Sequence, residues 1–522
     1  MAPLIITNSG ALRGTIDKNI AGGTYVAFRG IPYAMPPIGD LRFRDPVPIG
    51  GWTGIRDATK FGEICCQYNR EQQRFIGSED CLYLNVYAPS LEPSKSRAVM
   101  VWIHGGRFEF GSGNDDVHGP DYFMKKDVIV VTLNYRLGFL GFFTLGDRAA
   151  PGNHGLKDQI LALEWVKQNI SKFGGDPNNI TAFGHSAGAS CIHHLTLSPK
   201  TRGLFQRVIL QSGVAPSIVT PKDAVGLGKR FANMLAIGLS DPTDIVEYLR
   251  TVEVETLLEA QERLRTPDEF TRCETTFSPA CDAPSDDPIC PKNHQEAVKS
   301  GILVPCIIGL VSEETLMLQE EIEALGRKIG RIIPTIPSKN YEDKNFSFPK
   351  IIEHYIRDCG NEEKLIPLLV KLTTDACFTA MAHWVLEYQK ASNAPTYFYN
   401  LSYEIKQTLA KLNPKVTLPG TSHADDLSFL FHHKLMDEFG KKPLCSNDTH
   451  NRIVQRIVEM WTNFAKTGNP TPKTSELIPI IWEPIDNARK DEYKCLYITD
   501  TLEMKTEENY FTVLAREMEM SQ

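Results

Sequence analysis

The chain has 522 residues, of which 42% are hydrophobic and 23% charged, with a formal net charge of −8. This balance is that of an ordinary globular protein with a large core, and it argues against disorder. The acidic charge, without any block of lysine or arginine, excludes nucleic acid and an anionic membrane as the main partner. A neutral small molecule fits the composition better.

No targeting signal is evident in the sequence. Residues 1–8 lack the basic region of a signal peptide, no apolar run approaches a membrane span, and residues 519–522 match no endoplasmic-reticulum or peroxisomal address. We therefore expect a cytoplasmic protein. Its twelve cysteines include no pair of CxxC motifs, so we expect free core cysteines and no zinc site.

Six short apolar runs rich in β-branched residues predict buried strands. In chain order they are residues 98–103, 128–134, 179–183, 207–211, 304–310 and 395–401. Runs that are apolar on both faces are typical of a mostly parallel sheet covered by helices, so the predicted fold class is α/β. Helical spacing over 155–173 predicts a crossover between the second and third strands.

We interpret the chain as one domain over residues 1–522 with two helical insertions. The first, at roughly 222–287, is richer in charge and has helical periodicity around Ile245 to Leu249. The second is a helical block at roughly 348–391, just before the last predicted strand. No internal repeat or low-complexity linker divides the chain.

Residues 179–188 read N-I-T-A-F-G-H-S-A-G, a strand that runs into G-x-S-x-G and then into a helical pattern over 189–195. A serine on a tight strand-to-helix turn has strained backbone geometry, and Gly184 and Gly188 allow neighbouring chain to approach closely. The pattern alone also fits a simple Gly-Ser turn. The flanking strand and helix favour Ser186 as a nucleophile at the carboxyl end of the sheet.

A serine hydroxyl needs a base to take its proton. In α/β enzymes whose serine lies in G-x-S-x-G between a strand and a helix, the chain order is serine, acid, histidine. His423 is the best-placed histidine, in the loop G-T-S-H-A-D-D after the last predicted strand. The acid that orients it should follow a strand between Ser186 and His423. Glu313 and Glu314 both follow the 304–310 strand, and periodicity does not choose between them.

The sequence V-W-I-H-G-G-R-F at 101–108 places a glycine-rich turn at the end of a strand. Acyl transfer develops negative charge on a carbonyl oxygen, which preset backbone N–H groups stabilise. One N–H would come from Ala187 and others from this turn. Two glycines after a strand often form a turn without chemistry, but the accompanying G-x-S-x-G pattern favours an oxyanion hole.

Together these motifs resemble the type-B carboxylesterase and cholinesterase family, and within it the insect alpha-esterases, which are cytosolic carboxylesterases. The matching stretches span almost the whole chain: F-R-G-I-P-Y-A at 28–34, L-R-F at 41–43, S-E-D-C-L-Y-L-N-V-Y at 78–87, N-Y-R-L-G at 134–138, G-L-K-D-Q at 155–159, F-G-G-D-P at 173–177, and the Ser186 turn. The resemblance implies an α/β-hydrolase fold, a central mostly parallel sheet with helices on both faces and inserted cap helices.

The resemblance also implies the roles of individual residues. Ser186 and His423 carry catalysis, the acid falls on Glu314, and the oxyanion donors are the backbone N–H groups of Gly106, Arg107 and Ala187. Arg42 with Glu79 and Arg136 with Asp158 would be buried scaffold ion pairs. A disulfide of secreted relatives would join Cys81 to Cys65 or Cys66, and we expect it to be reduced here.

The chain departs from the family pattern at three positions. His185 stands where the family usually has glutamate before the serine, and Thr315 follows the acid where glycine is usual. Arg107 replaces the third glycine of the oxyanion turn. If glycine dihedrals are required at 107, a lost donor would slow the reaction on the order of a hundredfold.

The implied reaction has two steps, acylation of Ser186 and hydrolysis by water that His423 activates, and it needs no metal or organic cofactor. The implied substrates are small to medium hydrophobic esters, including xenobiotics, and organophosphates would phosphorylate Ser186. Two alternatives stay open. One is an esterase for an endogenous hormone or lipid, and the other is a slow-turnover, esterase-like binding protein that sequesters its ligand.

Overall fold

The structure is a computed structural model that describes residues 2–519, apart from positions 21, 70–71, 217–222, 237, 266–274, 293, 327–350, 352–353, 357–358, 360–361, 406–407, 409–410, 412, 414, 435–448 and 487–490. Its strands are β1 (Leu4–Ile6), β2 (Ala11–Arg13), β3 (Thr15–Lys18), β4 (Thr24–Pro32), β5 (Ile55–Asp57), β6 (Gln67–Asn69), β7 (Arg74–Ile76), β8 (Tyr83–Ala88), β9 (Arg97–Ile103), β10 (Ile129–Leu133), β11 (Gly175–His185), β12 (Arg207–Gln211), β13 (Cys306–Val311), β14 (Thr396–Leu401), β15 (Glu492–Ile498) and β16 (Leu502–Glu508).

The described helices are α1 (Gly138–Phe142), α2 (His154–Asn169), α3 (Ala187–Leu197), α4 (Ala224–Leu235), α5 (Pro242–Thr251), α6 (Val254–Leu264), α7 (His294–Val298), α8 (Gln319–Gly326), α9 (Glu362–Thr374), α10 (Ala380–Gln389), α11 (Thr449–Thr467) and α12 (Tyr510–Glu519). A π-helical turn, Asp375–Thr379, joins α9 to α10. Short 3₁₀ turns at Ile170–Phe173, Glu314–Leu318 and Asp425–Phe429 follow α2, β13 and the His423 loop.

The central sheet has eleven strands in the order β16-β15-β14-β13-β12-β11-β9-β10-β8-β4-β3. The strands from β15 to β10 in that order pair in parallel, and antiparallel strands close both edges. Carboxyl ends of parallel strands meet at one edge of a sheet, where ligand sites of open α/β sheets lie. This topology is the α/β-hydrolase fold and confirms the predicted fold class.

All six predicted strands are present, with shifted ends. β13 and β14 begin one residue after Pro305 and Pro395, because proline has no N–H to give to the sheet. β11 begins earlier than expected, at Gly175, and its pairing to β9 changes register between Gly175 and Ile180. The predicted crossover helix is α2, which ends in a 3₁₀ turn.

Alternate residues of the central strands enter two separate cores. In β9, Val99, Val101 and Ile103 belong to one buried cluster, whereas Met100 and Trp102 belong to the other. A strand with this two-sided burial requires helices on both faces of the sheet. The predicted strands lack an alternation of polar and apolar residues because both faces of the sheet are buried under helices.

Both predicted insertions contain helices, although residues 275–287 of the first form turns and irregular chain. The region 222–287 contains α4, α5 and α6, while residues 222 and 266–274 within it lie outside the described residues. The region 348–391 contains α9, the π turn and α10, and residues 348–350, 352–353, 357–358 and 360–361 lie outside. The grouping of all residues into one domain stays a prediction.

The stretch Lys364–Gln389 is one continuous helix of 26 residues whose length and apolar composition are those of a membrane-crossing helix. The expectation that no apolar run approaches a membrane span is therefore wrong by those two criteria. Just over half of its most apolar window, 56%, is buried inside the protein. Leu369, Val370 and Leu386 pack in the main core, as the core helix of a globular domain does.

Cys65 and Cys81 form a disulfide, with their Cα atoms 4.9 Å apart. That separation lies within the range that a disulfide can bridge. The expectation of reduced cysteines is wrong for this pair, and the partner of Cys81 is Cys65 because Cys66 is a buried free thiol. Burial raises the pKa of the Cys66 thiol to about 12, so it stays protonated.

The two predicted scaffold ion pairs are formed. Arg136 binds Asp158 through Nε at 2.8 Å and Nη2 at 2.7 Å, and the Arg136 backbone N–H donates to the same carboxylate at 3.0 Å. Arg42 and Glu79 form a matching two-point pair, with both contacts at 2.6 Å. Arg136 and Asp158 are at most 3% exposed, so neither charge has water as a substitute partner.

We expect Arg136→Met to lower the free energy of unfolding by about 3–5 kcal/mol, because it leaves the Asp158 carboxylate buried without its cation. Urea denaturation followed by tryptophan fluorescence measures the change. Arg13→Met is the matched control, since Arg13 and Asp57 form a long, half-exposed contact at 3.8 Å. Equal denaturation midpoints for the two variants would contradict the assignment of Arg136 as a scaffold residue.

Candidate functional site

The residues that the sequence singled out gather at one edge of the sheet. Ser186 follows β11, Glu314 follows β13, His423 lies in the chain after β14, and the glycine-rich turn at 104–108 follows β9. These four strands are parallel, and each strand ends at the same edge. The topology therefore brings together groups that are far apart in the sequence.

Ser186 lies on a sharp turn between β11 and α3. Its backbone has φ 56° and ψ −125°, outside the helical and extended regions. Its N–H donates to the carbonyl of Gln211 at 2.8 Å, and its own carbonyl accepts the N–H of Ser190 at 2.9 Å. Bonds on both sides thus stabilise a strained conformation, which is typical of a nucleophile on a strand-to-helix turn.

Three glycines let other backbone segments approach this turn. A Cβ atom added at Gly188 would lie 2.1 Å from the carbonyl oxygen of Ile103, and one at Gly213 would lie 2.1 Å from that of Ser186. One added at Gly105 would lie 3.1 Å from the Cβ of Ser186. The glycine-rich turn after β9 therefore packs directly against the serine, as an oxyanion hole requires.

His423 and Glu314 form a buried pair. The Nδ1 atom of His423 lies 2.6 Å from Oε2 of Glu314, whose side chain is fully buried. The second carboxylate oxygen accepts the backbone N–H of Val311 at 3.0 Å. Glu314, and not Glu313, is therefore the carboxylate that orients the imidazole. The backbone N–H of Glu313 donates to the carbonyl of Thr421, which ties the two loops together.

The His423 ring packs between two aromatic rings at the base of the site. Its centroid lies 4.4 Å from that of His185, the residue before Ser186, and 5.1 Å from that of Phe378. Phe378 lies in the π turn, and such turns are frequent at functional sites. Among the hydrogen bonds between described residues, none joins the Ser186 hydroxyl to His423.

The turn after β9 has three consecutive residues with positive φ: Gly106 at 103°, Arg107 at 58° and Phe108 at 62°. Arg107 thus adopts the left-handed backbone that glycine usually supplies. Ala187 is the first residue of α3, so its N–H has no acceptor within the helix. Arg107, Ala187 and Ser186 line the same cleft.

The Arg107 side chain lies beside a buried carboxylate. Its Nε is 3.9 Å from Oε2 of Glu109, which also pairs with Arg265 and accepts the N–H of Thr276 at 2.9 Å. Burial opposes ionisation of Glu109, but the Arg265 and Arg107 guanidiniums hold its pKa below the ordinary value. An anionic Glu109 therefore holds Arg107 at the wall of the cleft.

Thr315, another departure from the family pattern, fixes the turn that carries Glu314. Its hydroxyl donates to the Val370 carbonyl at 3.0 Å and lies 2.6 Å from the Thr373 hydroxyl, while its N–H donates to Thr374 Oγ1 at 3.2 Å. These contacts link the acid to α9. Glycine has no side chain that could make the hydroxyl contacts.

Sequence reasoning did not identify Asp426 and Phe378 as residues of the site. Asp426 interacts with the charges of His423 and Glu314. Its position three residues after His423, in the same loop, was the sequence signal that could have identified it. Phe378 had no sequence signal, because a π turn inside a helix leaves the apolar pattern nearly unchanged.

Ser186 opens into a narrow cleft with a volume of about 60 Å³. Apolar side chains from the turn after β9, from the chain after β12, from β13 and from the π turn and α10 form most of its wall. They include Phe108, Val214, Ile308, Leu310, Phe378 and Met381. The cleft suits a hydrophobic ligand with one polar group at the serine.

The sequence profile of the carboxylesterase family matches residues 1–513. Esterase FE4 of Myzus persicae is 32% identical over 519 residues, covering 95% of this chain and 89% of the esterase. A juvenile hormone esterase of Tribolium castaneum is 33% identical over 504 residues, covering 90% of this chain and 84% of that protein.

Solved structures agree with this similarity. A juvenile hormone esterase from Manduca sexta, solved with OTFP covalently attached, superposes with a TM-score of 0.85 at 28% identity, covering 100% of this chain and 99% of that chain. The carboxylesterase EST55 of Geobacillus stearothermophilus superposes with a TM-score of 0.78 at 29% identity, covering 99% of each chain.

We expect Gly188→Ala to slow labelling of Ser186 by a fluorophosphonate on the order of a hundredfold, because the added methyl group collides with the Ile103 carbonyl and displaces the turn by a fraction of an ångström or more. Mass spectrometry of the labelled protein measures the rate. Gly50→Ala, at a position where an added Cβ meets nothing within 4 Å, is the control. A Gly188→Ala rate like that of the control would show that the close approach is not needed.

Proposed function

The chain belongs to the carboxylesterase family, and we propose that it hydrolyses small to medium hydrophobic carboxylic esters through an acyl-enzyme on Ser186. The observation that carries this proposal is the buried His423–Glu314 pair at 2.6 Å, on the same sheet edge as the strained Ser186 turn. A carboxylate bound to Nδ1 leaves Nε2 of the imidazole to accept a proton.

In the acylation step, the Ser186 oxygen attacks the ester carbonyl while His423 takes the serine proton. His423 then donates that proton to the departing alcohol. In the second step His423 takes a proton from water, which attacks the acyl-enzyme; the bond between the acyl carbon and the Ser186 oxygen then breaks, His423 returns the proton to that oxygen, and the acid leaves. The first transfer requires the Ser186 hydroxyl to rotate toward Nε2, a movement that substrate binding commonly completes.

Backbone N–H groups stabilise the negative charge of both tetrahedral intermediates. We assign them to Gly106, Arg107 and Ala187. The positive φ of Gly106 and Arg107 supports this assignment, because it keeps the turn in the form that places successive N–H groups on one side. On this basis the arginine at 107 is compatible with an active enzyme.

The apolar wall of the cleft favours the binding of esters with hydrophobic acyl or alcohol groups. We infer that xenobiotic esters are among the substrates. Organophosphates would phosphorylate Ser186, since they present an electrophilic phosphorus to the same nucleophile. Detoxification is the physiological role that we propose. A cytoplasmic location stays a prediction, although the Cys65–Cys81 disulfide is more typical of an oxidising compartment.

A second candidate function is hydrolysis of a hormone ester. It is favoured by the Tribolium juvenile hormone esterase, which is 33% identical to this chain against 32% for Esterase FE4, and by the Manduca juvenile hormone esterase, which superposes with a TM-score of 0.85. Measurement of kcat/KM on juvenile hormone and, with the same enzyme, on 4-nitrophenyl esters of increasing chain length distinguishes a hormone esterase from a general carboxylesterase. A burst of alcohol equal to the enzyme concentration, followed by near-zero turnover, would instead favour sequestration.

We expect Glu314→Gln to lower kcat on 4-nitrophenyl butyrate by a factor on the order of 10³ to 10⁴, because the amide neither fixes the tautomer of His423 nor balances its positive charge. Ser186→Ala should remove turnover. Glu313→Gln is the matched control, one residue away and without a contact to the His423 ring, and its kcat should stay within threefold of wild type, roughly the effect of a residue outside the transition-state contacts. Equal losses in the two glutamate variants would refute the assignment of the acid.

A further inference from the structure

Behind His423 lies a second pair of titratable side chains that the proposed reaction does not use. The Nε2 atom of His185 lies 3.6 Å from Oδ1 of Asp426, and the two side chains are only 5% and 4% exposed. Within the described part of the chain, neither of these two atoms has a hydrogen-bond partner. Such buried polar atoms are costly unless they serve each other or a bridging water.

Both members are fixed in place by other contacts. The other oxygen of Asp426, Oδ2, accepts the side-chain N–H of Gln211 at 2.7 Å, and Gln211 Oε1 accepts the indole N–H of Trp461 at 3.2 Å. The His185 ring packs against His423, with centroids 4.4 Å apart. The pair therefore has a defined position directly beside the proposed base.

Several titratable groups face this pair from the surrounding elements. They are His423 and Asp425 on the same loop, Glu314 after β13, Tyr399 on β14, and His118. Burial, with Glu314 and Asp425 acting in the same direction, raises the pKa of Asp426 to about 7. Burial, reinforced by His423 and His118, holds the pKa of His185 well below its ordinary value, so its imidazole is neutral.

We propose that Asp426, positioned by His185, acts as a second carboxylate for His423. In its ionised form Asp426 stabilises the imidazolium that arises when His423 takes the Ser186 proton. This proposal rests on the proposed function, since it requires His423 to act as the base. It makes Asp426 and His185 positioning residues, because neither touches the substrate.

The charge balance of the site explains why ionisation of Asp426 matters. When His423 is neutral, ionised Glu314 and Asp426 would place two negative charges in one poorly solvated region, which favours keeping a proton on Asp426. Once His423 is positive, both carboxylates interact favourably with it. Ionised Asp426 therefore interacts more favourably with the transition state than with the resting enzyme, which is the condition for raising kcat.

The proposal predicts a pH-dependent effect of Asp426→Asn. Asparagine can still accept from Gln211 and can donate to His185, so the fold is preserved while the charge is lost. Well below pH 7 wild-type Asp426 is protonated, and we expect kcat of the two enzymes to agree within twofold. Above about pH 8 Asp426 is ionised, and we expect wild type to be faster by on the order of tenfold. Stopped-assay kcat values on 4-nitrophenyl butyrate between pH 5.5 and 9 measure this ratio.

Variants of His185 test the second half of the pair. The Nε2 atom of the neutral His185 imidazole faces Oδ1 of Asp426 at 3.6 Å, and donation from Nε2 to the ionised carboxylate, directly after a small approach or through a bridging water, would favour ionisation of Asp426. His185→Phe removes that donor and should move the midpoint of the pH-dependent step upward by about one unit, the scale of one lost hydrogen bond to a carboxylate. His185→Gln retains a donor and should return the midpoint toward that of wild type.

Asp425→Asn is the matched control, because Asp425 is a neighbouring buried carboxylate whose pKa burial also raises, to about 6. Its Oδ2 accepts the backbone N–H of Ser422 at 2.8 Å, so it has a different partner from Asp426. This variant should keep the pH-dependent step, with a midpoint slightly below that of wild type, because Asp425 is one of the weaker causes that raise the pKa of Asp426. A loss in Asp426→Asn by the same factor at every pH would overturn the proposal, because it would indicate structural damage alone. Turnover that survives Ser186→Ala or His423→Ala would refute the proposed function itself, and so the two failures are distinguishable.

Discussion

The backbone turn at Ser186 is the constraint on which the site depends. Its φ of 56° places the serine above the first turn of α3, and this conformation persists because β12 and the turn after β9 press against it from two sides. The contacts at Gly105, Gly188 and Gly213 leave no space for a Cβ atom without displacing backbone. Strain of this kind, of order 1–3 kcal/mol, persists only where packing on all sides determines the geometry.

The parallel sheet supplies that packing and also collects the charges. Strands that are buried on both faces cannot move independently, so the chain segments that follow β9, β11, β13 and β14 are held at one edge. Glu314 is fully buried and is stabilised by His423 and by the Val311 N–H. A carboxylate that has lost its water must be paired in this way, which makes its geometry as rigid as the sheet.

The sequence predicts the fold well because two-sided burial leaves a plain mark, an apolar run without alternation. It identifies Ser186 from a five-residue pattern because strand, turn and helix are local. Periodicity does not separate Glu313 from Glu314, and only the family resemblance implied Glu314, since the choice depends on which side chain points to a loop more than a hundred residues away. For the same reason the pairing of His185 with Asp426 and the choice of Cys65 over Cys66 become visible only in three dimensions.

The three departures from the family pattern act on different parts of the site. Arg107 changes a side chain at a position whose proposed contribution is a backbone N–H, and its φ of 58° lies in the left-handed region that glycine readily adopts. Thr315 adds hydroxyl contacts to α9 and so strengthens the support of Glu314. His185 is different in kind, because it replaces a group that carries negative charge with one that burial keeps neutral. Exchanging an acid for a neutral imidazole beside Asp426 removes one carboxylate from a crowded buried region, which makes ionisation of Asp426 less costly. The substitution before the serine therefore bears on the electrostatics of His423, the proposed base, more than on Ser186, the proposed nucleophile that it adjoins.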